Sequence, residues 1–245
     1  MGGEREAEVL AQGLDAFLVR FGARVSEPAN RAALAFRAAL EREGWEGVEE
    51  TAPALVSVLV RFDPRAVAHD ALAVRLRALL GSRDWTREVP GGRRRLWRIP
   101  TVWGGAEGPQ LAEAAGLAGI GAEDAARELS AARLRVLAIG FAPGQPYLGE
   151  LPERWAIPRQ TGLTPEVPEG AVTVAVRQVV LFANPSPTGW RWVGRTAFRC
   201  FRPEAEDPFP LRPGDEAVFE AVTAEAMARI RAEDAAGGGA VAVPL

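Results

Sequence analysis

The chain has 245 residues, 48% of them hydrophobic and 25% charged, which is room for one large domain or two ordinary ones and for a sizeable core. Its 29 basic residues are all arginine and face 32 acidic ones for a net charge of −3, so no nucleic-acid partner is expected and lysine-based chemistry, Schiff base or P-loop, is excluded. One histidine, His69, and one cysteine, Cys200, rule out a Cys/His zinc centre and an internal disulfide, and no metal site is expected in this chain.

Met1-Gly-Gly-Glu-Arg-Glu opens a mixed polar segment rather than a signal peptide, and no window approaches 18 apolar residues, so a cytoplasmic chain without membrane contact is expected. Ala16–Phe21 reads as a strand. Ser26-Glu-Pro-Ala supplies an N-cap with Pro in the first turn, Ala29, Ala33, Phe36 and Leu40 recur at helical spacing, and Gly44 is a stop, which predicts a helix over residues 27–43. Val48–Thr51 and Leu55–Phe62 read as strands around Ala52-Pro53-Ala54. Asp63-Pro64 predicts a second helix start, with Val67, Leu72, Leu76, Leu79 and Leu80 on one face and Gly81 as terminator. His69 falls on this helix beside Asp70, an exposed surface position with no function assigned. A strand at Arg94–Ile99 would complete a β-α-β-β-α-β order, the ferredoxin-like pattern of an antiparallel sheet with two helices on one face, over residues 1–98. Arg93-Arg94-Arg95 then reads as the solvated edge of that strand.

Beyond Pro100 the pattern changes. Two Ala-rich helices, Pro109–Leu117 and Glu123–Ala131, precede short β segments punctuated by Gly and Pro: Leu134–Phe141, Trp155–Ile157, Ala171–Val176, Val179–Phe182, Trp190–Val193, Phe198–Phe201 and Ala217–Ala221. This predicts an α+β chain whose second domain, residues 99–224, is a small closed or nearly closed barrel, with residues 225–245 a partly flexible tail of one short helix and Gly237-Gly-Gly-Ala.

Three passages exceed punctuation. Ile139–Gly149 holds three Gly, two Pro and the only Tyr, which fixes a rigid loop. It is no phosphate loop, because Pro143 and Pro146 remove amide donors and no helix start follows. Arg159 follows a predicted strand end, and Gly194-Arg195-Thr196 ends another; each guanidinium offers a planar fork to a carboxylate or phosphate. The Rossmann, P-loop, Ser-hydrolase elbow and H-E-x-x-H signatures are all missing.

These passages carry a resemblance. Gly140-Phe141-Ala-Pro143-Gly144-Gln-Pro146-Tyr147-Leu148-Gly149, Pro158-Arg159, Val167-Pro168-Glu-Gly170-Ala-Val172, Gln178 and Ser186-Pro187-Thr-Gly189-Trp190-Arg-Trp-Val-Gly194-Arg195-Thr196 stand in the order of the family of 5-oxoprolinase B subunits, also described as allophanate hydrolase subunit 1 and including a sporulation-kinase inhibitor of bacilli. Asp15–Gly22, Phe62-Asp63-Pro64 and Pro100-Thr-Val-Trp-Gly104-Gly105 are similar to its weaker upstream motifs. The resemblance implies a cyclophilin-like barrel of the carboxyltransferase type. It also implies work with a homologous barrel protein, the 5-oxoprolinase C subunit, and with an A subunit of the lactam-utilisation type, opening 5-oxoproline to glutamate with ATP used by the complex. Through the bacillar relative it implies an alternative, a regulator of a sensor histidine kinase; a scaffold with a degenerate pocket is a third reading. Carried onto the motif positions, Arg159 and Arg195 suit a carboxylate or phosphoryl group, Gln178 an amide or carbonyl, and Tyr147 flanks the pocket. Phe141, Pro143, Gly144, Pro146, Gly194 and Thr196 complete the substrate-binding set, and no catalytic residue is assigned. The chain departs from the pattern at Gln145 for Phe, Glu166 for Arg, Val176 for Gly, Leu129 for the His of a His-Ser pair, and Leu181-Phe182-Ala183 for Ile-Tyr-Pro.

Overall fold

The structure is a computed structural model that describes residues 7–88 and 94–245. The chain divides into two compact units, residues 1–92 and 93–245.

In the first unit, strands β1 (Glu8–Gln12), β2 (Ala16–Arg20), β3 (Val48–Ala54) and β4 (Ser57–Phe62) form an antiparallel sheet in the order β1-β2-β4-β3. Helix α1 (Glu27–Glu43) starts where Ser26 accepts a hydrogen bond from the Ala29 amide and stops at Gly44, whose φ of 58° is left-handed. Its Ala29, Ala33, Phe36 and Leu40 pack on Phe17, Val19, Val58 and Val60 of the sheet, with Leu72 and Leu76 from α2 (His69–Leu80). Burying a side chain such as Phe36 contributes about 1.5–3 kcal/mol. Asp63-Pro64 does not start α2: the Asp63 carboxylate accepts the Arg65 amide in a separate turn, and the helix begins at His69. His69 is not a free surface side chain, since its ring lies 4.4 Å from that of Phe17 and 6.0 Å from that of Phe62.

The strand expected to close this unit belongs to the other one. Strand β5 (Arg95–Trp103) pairs within residues 93–245, and the fourth strand of the first sheet is β1, which the sequence reading did not foresee. Arg93 lies outside the described residues, as does Met1–Glu6. Arg95 is no solvated edge residue: its guanidinium donates to Asp215 and to the Pro210 carbonyl and lies over the Trp97 ring.

The second unit holds helices α3 (Leu111–Leu117) and α4 (Ala122–Ala131) and strands β6 (Leu134–Ile139), β7 (Pro146–Gly149), β8 (Thr164–Val167), β9 (Ala171–Ala175), β10 (Gln178–Leu181), β11 (Ser186–Thr188), β12 (Arg191–Arg195) and β13 (Glu216–Ala221). It ends with helix α5 (Ala224–Glu233) and strand β14 (Val241–Pro244). Seven strands run β12-β9-β10-β7-β6-β13-β5, and a β5–β12 pairing closes them into a barrel. Among the described residues only the β5–β13 pairing is parallel. The α+β class with a closed barrel is therefore observed. Leu111, Ala114 and Leu129 of the two helices share one core with Val136, Leu148, Val172, Val179 and Phe219 of the barrel.

Local differences from the predicted elements have physical causes. Trp155 sits in a single 3-10 turn, not a strand, fully buried with its indole N–H donating to Glu128 at 2.7 Å. Phe198–Phe201 is irregular because the Thr196 hydroxyl accepts the Phe198 amide in a tight turn. The tail is tied down rather than loose: β14 pairs antiparallel with β5, and Gly238, with φ of 57°, lies so close to the Phe198 backbone that a Cβ there would sit 2.2 Å from its nitrogen.

The β9–β10 hairpin turns through Val176 and Arg177, both with positive φ (45° and 64°). Two positive φ values suit the twist of the flanking strands but strain a β-branched residue. Val176 stands where the resembled family has Gly, and it is exposed. Val176→Gly is therefore expected to stabilise the protein by about 1 kcal/mol, the relief of strain exceeding the added freedom of the unfolded chain. Urea denaturation reads this directly, and a midpoint at or below wild type would contradict it.

Candidate functional site

Alternation along the barrel strands separates two faces. Leu148, Val172, Val174, Val179, Leu181 and Val193 point to the main core, whereas Val180, Ala171, Ala175, Phe182 and Trp190 form a second apolar cluster with Val167. The β8–β11 ribbon supplies Val167 and so covers part of this outer face. Tyr147 and Trp192 pack at its margin, half-exposed. Tyr147 is paired with Val180 and meets Trp190 edge to face at 6.2 Å. Gln178, paired with Gly149, follows on the same face one alternation along β10.

Arg159 joins this ledge from outside the barrel, its guanidinium 5.2 Å from the centre of the Trp190 ring. The segment carrying it is clamped on both sides. The Pro158 carbonyl accepts from Arg191 at 2.6 Å, and the Gln160 amide donates to Gly189 at 2.7 Å. Arg191 is itself buried and paired with Glu113 at 2.8 Å, while the Gln160 side chain bridges Gln110 and the Trp190 carbonyl. A cation held on an aromatic face with its fork exposed can receive a carboxylate or phosphoryl group. The sequence reading missed Arg191, Glu113, Gln110 and Gln160; the available signal was Arg191 itself, a charge at an inward position of an alternating strand.

The loop before β7 brings Phe141 and Pro143 to the surface; Phe141 is 77% exposed at a φ of 70°. Pro146 is buried in β7. Gly144 and Gly194 are close-approach positions: a Cβ on Gly144 would meet the Cys200 carbonyl oxygen at 2.3 Å, and one on Gly194 would meet the Trp103 ring at 2.7 Å. Two departures from the family pattern also meet here. Buried Gln145 accepts a hydrogen bond from the Ala183 amide at 3.4 Å, a donor that the family's Pro would not have.

Arg195 is not part of the ledge. It lies five residues beyond Trp190, roughly 16 Å of extended chain, at the other end of β12. There its Nε donates to the Glu169 carbonyl and its Nη1 to Glu107. Thr196 is buried beside it. The structure thus divides the expected binding set between two places. Cys200 offers no nucleophile, because burial pushes its thiol up to about 12. Among the described residues no group of three or more His, Cys, Asp or Glu side chains is placed to hold a metal ion, and no helix is long and apolar enough to cross a membrane.

The family model for the carboxyltransferase domain, subdomain C and D, matches residues 7–211. The chain is 31% identical over 217 residues to the 5-oxoprolinase B subunit of Bacillus subtilis, covering 84% of this chain and 89% of that one. It is 35% identical over 165 residues to the 5-oxoprolinase B subunit of Escherichia coli O157:H7, covering 67% and 72%. Among solved structures, TTHA0988 superposes with a TM-score of 0.72 at 34% identity over 85% of this chain; the match spans only 40% of that longer protein.

Proposed function

Because the chain belongs to the family of 5-oxoprolinase B subunits, built on carboxyltransferase subdomains C and D, we propose that it is the B subunit of an ATP-dependent complex that opens a cyclic amide, 5-oxoproline, to glutamate. It would act with a homologous barrel protein as the C subunit and a lactam-utilisation-type protein as the A subunit. The observation that carries the reading is the Arg159–Trp190–Tyr147 ledge with Gln178 on the same face. The substrate has one carboxylate and one lactam amide. On this reading the Arg159 fork takes the carboxylate, Tyr147 and Trp190 form an apolar wall for the ring, and the Gln178 amide pairs with the lactam group. Opening the lactam requires activation of its carbonyl, and ATP bound by the complex supplies a phosphoryl group for that purpose. The part of this chain is to bind and orient, and partner subunits complete the reacting site.

The test is co-expression with the two neighbouring subunits and measurement of 5-oxoproline-dependent ATP hydrolysis and glutamate release. Arg159→Gln should lower kcat/KM by about 10- to 100-fold, the value of a charge-assisted hydrogen bond. Equal turnover by wild type and Arg159→Gln would remove the ledge from the reading. An assembled complex inactive on 5-oxoproline would remove the activity and favour the regulatory alternative.

A further inference from the structure

Arg195 ends β12 in a cleft of about 170 Å³ lined by Glu169, Gly170, Thr196, Phe198, Arg199 and Arg231, among others. Three guanidiniums converge on it from three segments. Arg195 comes from the Gly194-Arg195-Thr196 motif, Arg199 from the turn after it, and Arg231 from α5. Helix α5 lies beyond residue 211, where the family match ends. The glycine turn at Gly237–Gly239 holds the segment after α5 in place: Gly238 rests against the Ala197–Phe198 backbone, and the Arg199 amide donates to the Ala236 carbonyl.

The pairing within the cleft leaves donors in excess. Glu107 is shared, one oxygen on Arg195 at 3.4 Å and the other on Arg231 at 3.2 Å. The Glu169 carboxylate takes Arg199 at 3.3 Å. Glu204 also pairs with Arg199 and, like Glu107, reaches its partner from outside the residues that line the cleft. Nη2 of Arg231 is buried and has no hydrogen-bond partner. Three guanidiniums thus meet three carboxylates, Glu107, Glu169 and Glu204, so the charges balance, while the N–H donors outnumber the acceptors and Nη2 of Arg231 has none. Buried donors left unpaired are costly, and a guanidinium selects an oxyanion with two adjacent oxygens.

We propose that this cleft is an oxyanion site for a small phosphate or carboxylate, held by Arg231 with Arg195 and Arg199. Its volume is below the roughly 300–1,000 Å³ of pockets that enclose larger ligands, which suits a small ion. The site stands apart from the ledge and does not depend on the reading of Arg159.

Isothermal titration of the full chain with inorganic phosphate, and in a second arm with acetate, both at constant ionic strength in chloride, tests the proposal. Saturable binding in either arm is expected, and the tighter arm identifies the ligand class. Arg231→Gln should weaken it tenfold or more, and Arg231→Lys should restore part of it. Glu107→Gln should do the opposite and tighten binding, because it removes the carboxylate that competes for Arg195 and Arg231. A merely structural ion network would not give these opposite signs. No saturable binding in either arm, binding unchanged in Arg231→Gln, or weakening in Glu107→Gln would each overturn the proposal. Circular dichroism of each variant separates loss of binding from loss of fold, and Glu107→Gln alone decides if Arg231→Gln does not fold.

Discussion

Replacing Asp215 by alanine is expected to destabilise the protein by about 3–5 kcal/mol, the usual cost of removing one partner from a buried ion pair. Asp215 is 3% exposed and stands just before β13. Its carboxylate accepts from the Arg95 amide at 3.2 Å, the Arg95 Nη2 at 2.7 Å, the Trp97 indole at 3.3 Å and the Arg212 amide at 3.1 Å. These donors come from the start of β5 and the turn before β13, so a single side chain ties the two strands together where their parallel pairing begins. Alanine leaves two amides and an indole without this acceptor and a half-buried guanidinium with the Pro210 carbonyl in place of a carboxylate. Asparagine keeps the shape and one acceptor oxygen and should cost less, about 1–3 kcal/mol. Urea denaturation of Asp215→Ala, Asp215→Asn and the double variant Arg95→Met/Asp215→Ala measures the coupling. The double variant should recover part of the loss, because it no longer buries an unpaired charge. A cost below about 1 kcal/mol for Asp215→Ala would show that β5 is held by strand pairing alone.

Helix α1 was legible because everything that defines it is local: Ser26 at the cap, Pro28 in the first turn, Gly44 beyond the end and an apolar face every third or fourth residue. Strand β5 was legible as a strand but not as a member of a sheet. Its partners, β12, β13 and β14 and the Asp215 carboxylate 120 residues away, are distant in sequence, and no local pattern encodes them. Strand β1 was missed because Glu8–Gln12 is a short edge strand with half-buried and exposed side chains, which leaves little alternation to read. Gly237–Gly239 shows the ambiguity of glycine itself. Clustered glycines mark mobility when nothing approaches them and close packing when backbone does, and only the Phe198 backbone decides for the second. The residues proposed for binding are legible as motifs for the same reason that α1 is, since each motif is contiguous. Their separation was not: Arg159 and Arg195 look alike in sequence, yet one lies on an aromatic ring and the other in a network of carboxylates. The link between Gln145 and Ala183 could be read only in part, as two departures from one pattern, until the hydrogen bond between them gave the pair a cause.

Gly144→Ala should cost about 3 kcal/mol or more, and with it the ledge. The φ of 73° at Gly144 already penalises any side chain, and the added Cβ would stand 2.3 Å from the Cys200 carbonyl oxygen and 3.0 Å from the Phe201 Cβ. A backbone carbonyl in a packed turn cannot rotate aside as a long side chain does, so the loop must lift. It would lift as a unit, because the Gly140 amide donates to the Gln145 carbonyl and the Gln145 amide to the Ala142 carbonyl. Gln145 would then lose Ala183, and β7 would shift Tyr147 from its contact with Trp190. Gly140→Ala in the same loop is the control: nothing lies within 4 Å of its Cβ position, and its effect should stay within about 0.5 kcal/mol of zero. Urea denaturation of the two variants, followed by 5-oxoproline-dependent turnover of the assembled complex at a temperature where both are folded, separates the consequences. If Gly144→Ala matches Gly140→Ala in stability, the close approach to Cys200 does not hold the loop. If it is unstable yet turns over at the wild-type rate, the loop supports the barrel but not the ledge. The expected result is loss of both, because the loop that packs at Gly144 against Cys200 runs directly into β7, the strand that carries Tyr147.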